Sequence, residues 1–378
     1  MPEPLPRPRV ALTLTQCWHR VPGGTATSVL RLADALRGLD DVDLVGVGPR
    51  GRVPAPPFRP TGDLRQLALP LPVLYDAWDR ARRPAVQAAT GPVDLVHLTV
   101  PMSPPRSAAP LVATVHDLYP LTRPEWFTGR GARLMRRGLE RIRQDAAAVL
   151  VPSHVVAHDC GRHGFDPDRV HVVPWGSDAT EVPAGRVEEV LARHGVGRPY
   201  VLFVGTLEPR KGLAVLADAM VRVGRPDVTL VVVGPAGWGD GDPARLRSVP
   251  GPVARLGFVG DDDLAALRQG AAACCAPSWA EGFGLPVLEA MAQGAPVVAS
   301  AGTASAEVAG DAALLVEPGV PRLLAEAVER LLDDDALADR LREAGPARAA
   351  TFTWEGAARR VVDVYREVLA TSARGAAR

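Results

Sequence analysis

Apolar runs of four to six residues recur along the chain and alternate with longer stretches whose apolar positions fall three and four apart. In the first half the runs lie at 10–15, 42–47, 94–98, 111–115, 147–151 and 170–173. Helical spacing occupies 25–39 and about 131–145, 71–89 has room for a helix, and Ser153 can cap a short one. Residues 48–70, rich in proline and arginine and without a period, read as a loop. After a connector at 176–198, with a helix around 187–194, the pattern restarts with runs at 200–204, 228–233, 253–258, 271–276, 296–299 and 313–316. Helices are expected from about 213, at 262–269, 286–293, 322–332 and 335–343, and a last one at about 354–369. Short apolar strands separated by helices predict parallel sheets covered on both faces. The fold class is therefore α/β: two doubly wound, Rossmann-like domains joined near residue 180, whose carboxyl-side strand ends can form a cleft.

Composition narrows the function classes. The 378 residues are 47% hydrophobic and 23% charged, which excludes extensive disorder. Lys plus Arg and Asp plus Glu each total 43, so the basic excess of a general nucleic-acid binder is missing and no nucleic-acid partner is expected. Cys17, Cys160, Cys274 and Cys275 have no metal-ligand spacing and read as reduced, buried thiols. No stretch approaches the roughly 20 apolar residues of a bilayer crossing, and no signal-peptide pattern is present, so a cytoplasmic protein is expected.

Four segments could carry chemistry. Gly205–Gly212 (GTLEPRKG) follows a strand and opens a helix, so backbone N–H groups, a helix N-terminus and the cations Arg210 and Lys211 meet as a grip for a diphosphate. It lacks the Gly-Lys-Ser/Thr ending that would place a hydroxyl on magnesium, and alone it is equally a solvated basic helix start. Ser278–Gly294 (SWAEGFGLPVLEAMAQG) sets Glu281 in a loop at a strand end and Glu289 one turn into an otherwise apolar helix. A carboxylate in such company should be paired or bound to ligand hydroxyls, or else Glu289 is simply an exposed glutamate on a surface helix. Gly23-Gly24 permits close backbone approach to a phosphate or sugar, or is simply a tight turn. A strand runs directly into His116 and Asp117, where the imidazole could donate to a sugar hydroxyl with Asp117 orienting it, or serve as a structural histidine. Asp261, Asp262 and Asp263 read as helix capping rather than a metal site, and no metal is expected.

In order and spacing these segments resemble the retaining GT-B glycosyltransferases of family 4 (glycosyl transferases group 1), with bacterial mannosyltransferase-type members nearest. Two glutamates with seven residues between them, the first followed by Gly-Phe-Gly-Leu-Pro, resemble that family's signature; the likeness covers about residues 9–370. It implies an acceptor-side domain at 1–180, a nucleotide-sugar-binding domain at 181–351, and a closing segment at 352–378 whose helix crosses back onto the first domain. Arg210 and Lys211 would neutralise the donor's diphosphate, Glu289 would bind its ribose, and Glu281 would hold sugar hydroxyls beside the backbone of Gly282, Phe283, Gly284 and Leu285. Leu256, Gly257, Phe258 and Val259 would line the base pocket, His116 would sit at the donor sugar, and Gly23 and Gly24 would approach its phosphate.

The implied reaction moves a sugar from a nucleotide diphosphate to an acceptor hydroxyl with retention. The nucleotide sugar is a cosubstrate, first choice GDP-mannose with UDP- or dTDP-sugars as alternatives, and no metal or other cofactor is involved. The acceptor would be a glycan, glycolipid or small molecule, and the protein a monomer or homodimer. Arg133, Arg136, Arg137, Arg141 and Arg143 offer either a peripheral contact with an anionic membrane or a solvated helix face. Pro174–Asp178 and Gly302–Val308 depart from the family pattern without removing a proposed catalytic group. A dehydrogenase is disfavoured because no Gly-x-Gly-x-x-Gly follows the first strand, and a non-catalytic sugar-nucleotide-binding protein because His116, Lys211 and Glu281 are all present.

Overall fold

A computed structural model describes residues 7–237 and 243–376. The chain divides into two compact units, one running to Gly176 and resumed from Trp354 onward, the other spanning Ser177–Thr353.

The first unit holds β1 (Arg9–Thr13), β2 (Asp43–Gly48), β3 (Leu64–Gln66), β4 (Leu95–Leu98), β5 (Leu111–Thr114), β6 (Ala148–Val151) and β7 (Val170–Val172). They form one sheet in the order β3-β2-β1-β4-β5-β6-β7. All pairs are parallel; Val10 lies between Leu44 of β2 and Leu95 of β4, which fixes the centre. β4 and β5 are buried along their whole length, as a sheet with helices on both faces requires. Trp78, Leu74, Leu98 and Leu139 fill one side of this core.

The second unit holds β8 (Tyr200–Val204), β9 (Thr229–Val233), β10 (Val253–Gly257), β11 (Ala273–Ala276), β12 (Val297–Ser300) and β13 (Leu314–Val316). Their order, β10-β9-β8-β11-β12-β13, repeats that of β3-β2-β1-β4-β5-β6 in the first sheet, without a counterpart of β7. In each sheet the strand order reverses direction between two neighbours, β1 and β4 in the first and β8 and β11 in the second. Ligands of open α/β sheets collect outside the carboxyl ends of such strand pairs.

Both doubly wound domains match the sequence reading, and the differences are local. β3 lies in the stretch read as a loop; only three residues long, it is an edge strand with Leu64 opposite Gly46, too short to show a period. The six-residue helix Ala304–Ala309 was likewise invisible to periodicity. The helix beginning at Asp335 continues past 343 to Ala349 with Pro346 inside it. Packing overrides the local preference there: Gly345 lies so close to Met291 that a Cβ would stand 3.1 Å from the Met291 carbonyl.

The helix Asp261–Gln269 corrects the capping assignment. Its N-cap is Gly260, without a side-chain cap. Asp263 instead accepts from Arg186 at 2.7 Å, Arg193 at 2.8 Å and His194 at 3.2 Å, tying down the helix Arg186–His194. Ser153 does cap its helix, its Oγ accepting from the Val156 N–H at 3.2 Å.

The last helix, Trp354–Ala376, packs on the helix Gly23–Leu39 within the first unit. Tyr365 carries its hydroxyl to within 2.6 Å of His97 Nδ1 on β4, and His97 Nε2 lies 2.7 Å from the Thr114 hydroxyl. Burial lowers the His97 pKa to about 3, so the ring is a neutral structural link. Of the arginines on the helix Gly129–Asp145, Arg137 donates to the buried Asp79 at 2.8 Å, Arg141 to the Trp78 carbonyl at 3.2 Å and Arg143 to Glu140 at 2.6 Å. Arg133 and Arg136 are exposed. All four cysteines are free and buried. Among the described residues no helix is long and apolar enough to cross a membrane.

Candidate active site

In the second unit the chemistry collects at the carboxyl ends of β8 and β11. β8 ends at Val204, Gly205 leads into a 3-10 turn at Pro209–Lys211, and the helix Leu213–Val223 follows. β11 ends at Ala276 and continues through Pro277 and Ser278. The two loops are stitched by backbone. Gly212, with φ +73°, approaches Pro277 so closely that a Cβ would stand 2.1 Å from the Pro277 carbonyl oxygen. The Trp279 N–H donates to the Arg210 carbonyl at 2.8 Å.

That stitching brings together Arg210, Lys211 and Glu281. Lys211 Nζ and Ser278 Oγ each donate to Glu281 Oε1 at 2.7 Å, and Arg210 Nη1 donates to Oε2 at 3.2 Å. Arg210 Nη1 also donates to the Ala280 carbonyl at 3.0 Å, and Nη2 to Glu208 Oε1 at 2.5 Å. Two cations and two carboxylates therefore form one neutral cluster, with Glu281 only 8% exposed. Burial alone would raise the Glu281 pKa; the charges of Lys211 and then Arg210, with hydrogen bonds from Lys211 and Ser278, bring it down to about 2.

A carboxyl whose pKa is lower in the folded chain adds stability above the usual glutamate range, about 4.3, and loses it as the pH falls through the folded value. Glu281→Gln is accordingly expected to lower stability at pH 7 by about 1–3 kcal/mol. In urea titrations from pH 7 toward pH 2 the gap to the wild type should close; a gap constant with pH would contradict the pairing.

Glu289 lies on the helix Leu285–Ala292, and its carboxylate pairs with Arg268 from the neighbouring helix Asp261–Gln269. Gly284, φ +107°, begins the helix, and a Cβ there would meet Ser305 Oγ at 2.8 Å. The Phe283 ring is buried against Phe352, ring centroids 6.0 Å apart, so only its backbone is offered at the loop surface. Gly282 completes the turn, and Leu285 is the first helical residue. At the end of β10, Gly257 has φ +66° with nothing within 4 Å of a built Cβ, Phe258 is 62% exposed and Val259 is buried.

The first unit gathers polar side chains at its own switch point. Thr13 at the end of β1 and Thr99 just after β4 have hydroxyls 3.3 Å apart, and Gln16 Nε2 donates to the Thr99 hydroxyl at 3.1 Å. His116 Nε2 lies 3.0 Å from the Thr99 carbonyl. A carbonyl only accepts, so Nε2 carries the proton and donates. Desolvation pushes the His116 pKa down to about 4, leaving a neutral ring at pH 7. This corrects the expected polarity: Nε2–H is committed to the backbone, and Nδ1 is left as the acceptor. Asp117 Oδ1 accepts from the Tyr119 N–H at 3.0 Å, a local turn bond beside the imidazole. Gly23, φ +61°, and Gly24 open the helix Gly23–Leu39, with nothing within 4 Å of a built Cβ on Gly23.

Sequence reasoning missed Glu208, Ser278, Thr99 and Arg268. The first two lie inside the quoted segments and were available as partners for Arg210 and Glu281. The signal for Arg268 was a charge on the inward side of a helix beside Ala265 and Ala266, matching the lone carboxylate of Glu289. Among the described residues no group of three or more His, Cys, Asp or Glu is placed to hold a metal ion.

Comparison with known proteins fits this geometry. Residues 22–181 match the model of "Glycosyltransferase Family 4" and residues 198–334 that of "Glycosyl transferases group 1". The chain is 32% identical to the phosphatidyl-myo-inositol mannosyltransferase of Mycobacterium leprae over 93% of this chain and 95% of that protein. It is 31% identical to O-antigen chain mannosyltransferase B of Escherichia coli over 68% and 70% of the respective chains. In fold it resembles the Anabaena protein HepE, solved with UDP and glucose, at a TM-score of 0.74 and 18% identity over 96% of this chain and 100% of that one. The chain thus belongs to the family 4, group 1 glycosyltransferases, as a GT-B-type enzyme that transfers a sugar from a nucleotide-sugar donor.

Proposed function

We propose that the enzyme is a retaining mannosyltransferase that uses GDP-mannose without a metal ion, and that the second unit binds the nucleotide sugar while the first binds the acceptor. One observation carries the donor site: Lys211, Arg210 and Glu281 converge at the carboxyl ends of the switch-point strands β8 and β11. The choice of mannose rests on the similarity to mannosyltransferases from Mycobacterium leprae and Escherichia coli.

Lys211 spends one of its three N–H donors on Glu281, which fixes the ammonium and leaves two for phosphate oxygens. As the bond from the sugar to phosphate breaks, charge grows on the leaving diphosphate, and Lys211, Arg210 and the N-terminus of the helix Leu213–Val223 stabilise it. Glu281 accepts from donor-sugar hydroxyls, and Glu289 from the ribose. Neither is assigned as a glycosidase-type nucleophile or acid. The acceptor hydroxyl attacks on the face from which the diphosphate leaves, and a phosphate oxygen takes its proton, so configuration is retained. His116 accepts a donor-sugar hydroxyl at Nδ1, and Gly23-Gly24 offers backbone to the phosphate. Gly257, Phe258 and Val259 border the base. The acceptor is a glycan, glycolipid or small molecule.

Calorimetry with GDP-mannose, UDP-glucose and dTDP- and ADP-sugars, each with and without EDTA, tests the donor assignment. GDP-mannose is expected to bind most tightly, with no change on adding EDTA. Preference for another base would redirect the donor assignment, loss with EDTA would overturn the metal-free chemistry, and no binding at all would overturn the site. The anomeric coupling in the product's NMR spectrum tests retention.

A further inference from the structure

Arg268 is a buried charge that the transfer chemistry does not use. It lies 7% exposed on the inward face of the helix Asp261–Gln269, in one turn with the buried Ala265, Ala266 and Leu267. Its Nη2 donates to Glu289 Oε2, while its Nε is buried without a hydrogen-bond partner. Burying a guanidinium costs free energy unless it is paired, and an orphaned N–H adds to that cost; an apolar side chain of similar volume would avoid both. Glu289 sits differently. About a third of its side chain, 31%, remains exposed, and among the described residues Oε1 has no hydrogen-bond partner. The pair therefore consists of a sunken cation that grips one oxygen of a carboxylate and an outer oxygen still able to accept.

From this geometry we propose that Arg268 is a positioning residue for nucleotide recognition. It pins Oε2, fixes the plane of the carboxylate, and presents Oε1 to the vicinal 2′- and 3′-hydroxyls of the donor's ribose. The inference rests on the assignment of Glu289 to ribose. It adds that selectivity for a ribonucleotide over one lacking those hydroxyls runs through a side chain that touches no ligand. Without the pin, Glu289 keeps its charge but can rotate, and the ribose finds its acceptor in the right place only part of the time. A planar guanidinium holds a carboxylate orientation that a lysine point charge does not.

The test is calorimetric binding of GDP, UDP and ADP, each beside its 2′,3′-dideoxy counterpart, to wild type, Arg268→Met, Arg268→Lys, Glu289→Ala and the Arg268→Met/Glu289→Ala double variant. For the base that wild type binds best, Arg268→Met is expected to weaken the ribonucleotide about tenfold and the dideoxy analogue less than twofold. Arg268→Lys should fall between Arg268→Met and wild type, and Arg268→Met should add nothing in the Glu289→Ala background. Thermal melting identifies a variant that fails to fold, in which case Arg268→Lys alone decides by the same ratio. Equal weakening of both ligands, or an unchanged ratio, would show that Arg268 is only structural. If wild type binds a ribonucleotide and its dideoxy analogue equally, Glu289 does not read ribose, and the inference falls with that assignment. No binding by wild type would overturn the donor site as a whole.

Discussion

Lys211→Ala is expected to lower kcat about 10²–10³-fold, the usual cost of removing one fixed donor from a developing anion. Lys211 Nζ stands 2.7 Å from the buried Glu281 and is the principal charge holding that carboxyl's pKa near 2. On the proposed donor site, removing it would deprive the departing diphosphate of a cation. It also leaves Glu281 with Arg210, itself shared with Glu208, so burial pulls the carboxyl's pKa upward. The variant should therefore combine a slow transfer step with an acid limb of its pH–rate profile displaced to higher pH. Single-turnover kinetics with the nucleotide sugar that wild type binds best, repeated across pH, separates the two effects. A kcat within threefold of wild type would remove Lys211 from the chemistry.

Gly212→Ala is expected to destabilise the protein strongly and to disturb the site in the same step. The residue has φ +73°, which L side chains rarely adopt, and its Cβ would stand 2.1 Å from a backbone oxygen of Pro277. Backbone cannot turn away as a side chain can, so the cost is about 3–5 kcal/mol, at the upper end for single substitutions. For a domain of this size that corresponds to a melting temperature about 10 °C lower. The loops carrying Lys211 and Glu281 would part at the same point, so activity should fall even in the fraction that stays folded. Gly161→Ala is the control: nothing lies within 4 Å of its built Cβ, and it sits in the helix His154–Arg162. There alanine should leave stability unchanged or raise it by up to about 1 kcal/mol. Calorimetric melts of the two variants give the comparison.

The sheets were legible because parallel strands buried on both faces leave a mark that needs no partner to be read; TLVVV of β9 is apolar after its first residue. The Arg210–Lys211 and Glu281–Glu289 segments were legible as loops at strand ends, but their pairing was not. Lys211 and Glu281 are 70 positions apart, and only the order β9-β8-β11 makes their loops neighbours. The same holds for Arg268 and Glu289, which meet between two helices. The direction of the His116 proton was illegible for another reason, since its partner is a backbone carbonyl, at Thr99, that carries no residue signature. Asp263 shows the opposite failure: a local rule, helix capping, was a plausible reading until Arg186, Arg193 and His194 claimed the carboxylate.

The return of the last helix to the first unit sets an order of assembly on the ribosome. The second unit is one unbroken stretch, Ser177–Thr353, and every strand of its sheet is available once that stretch has emerged. The first unit has all seven of its strands much earlier, yet the partner of its helix Gly23–Leu39 and of its buried His97 arrives only with Trp354–Ala376. The part of the chain made first is thus finished last, its helix Gly23–Leu39 waiting through most of synthesis for the partner it packs on.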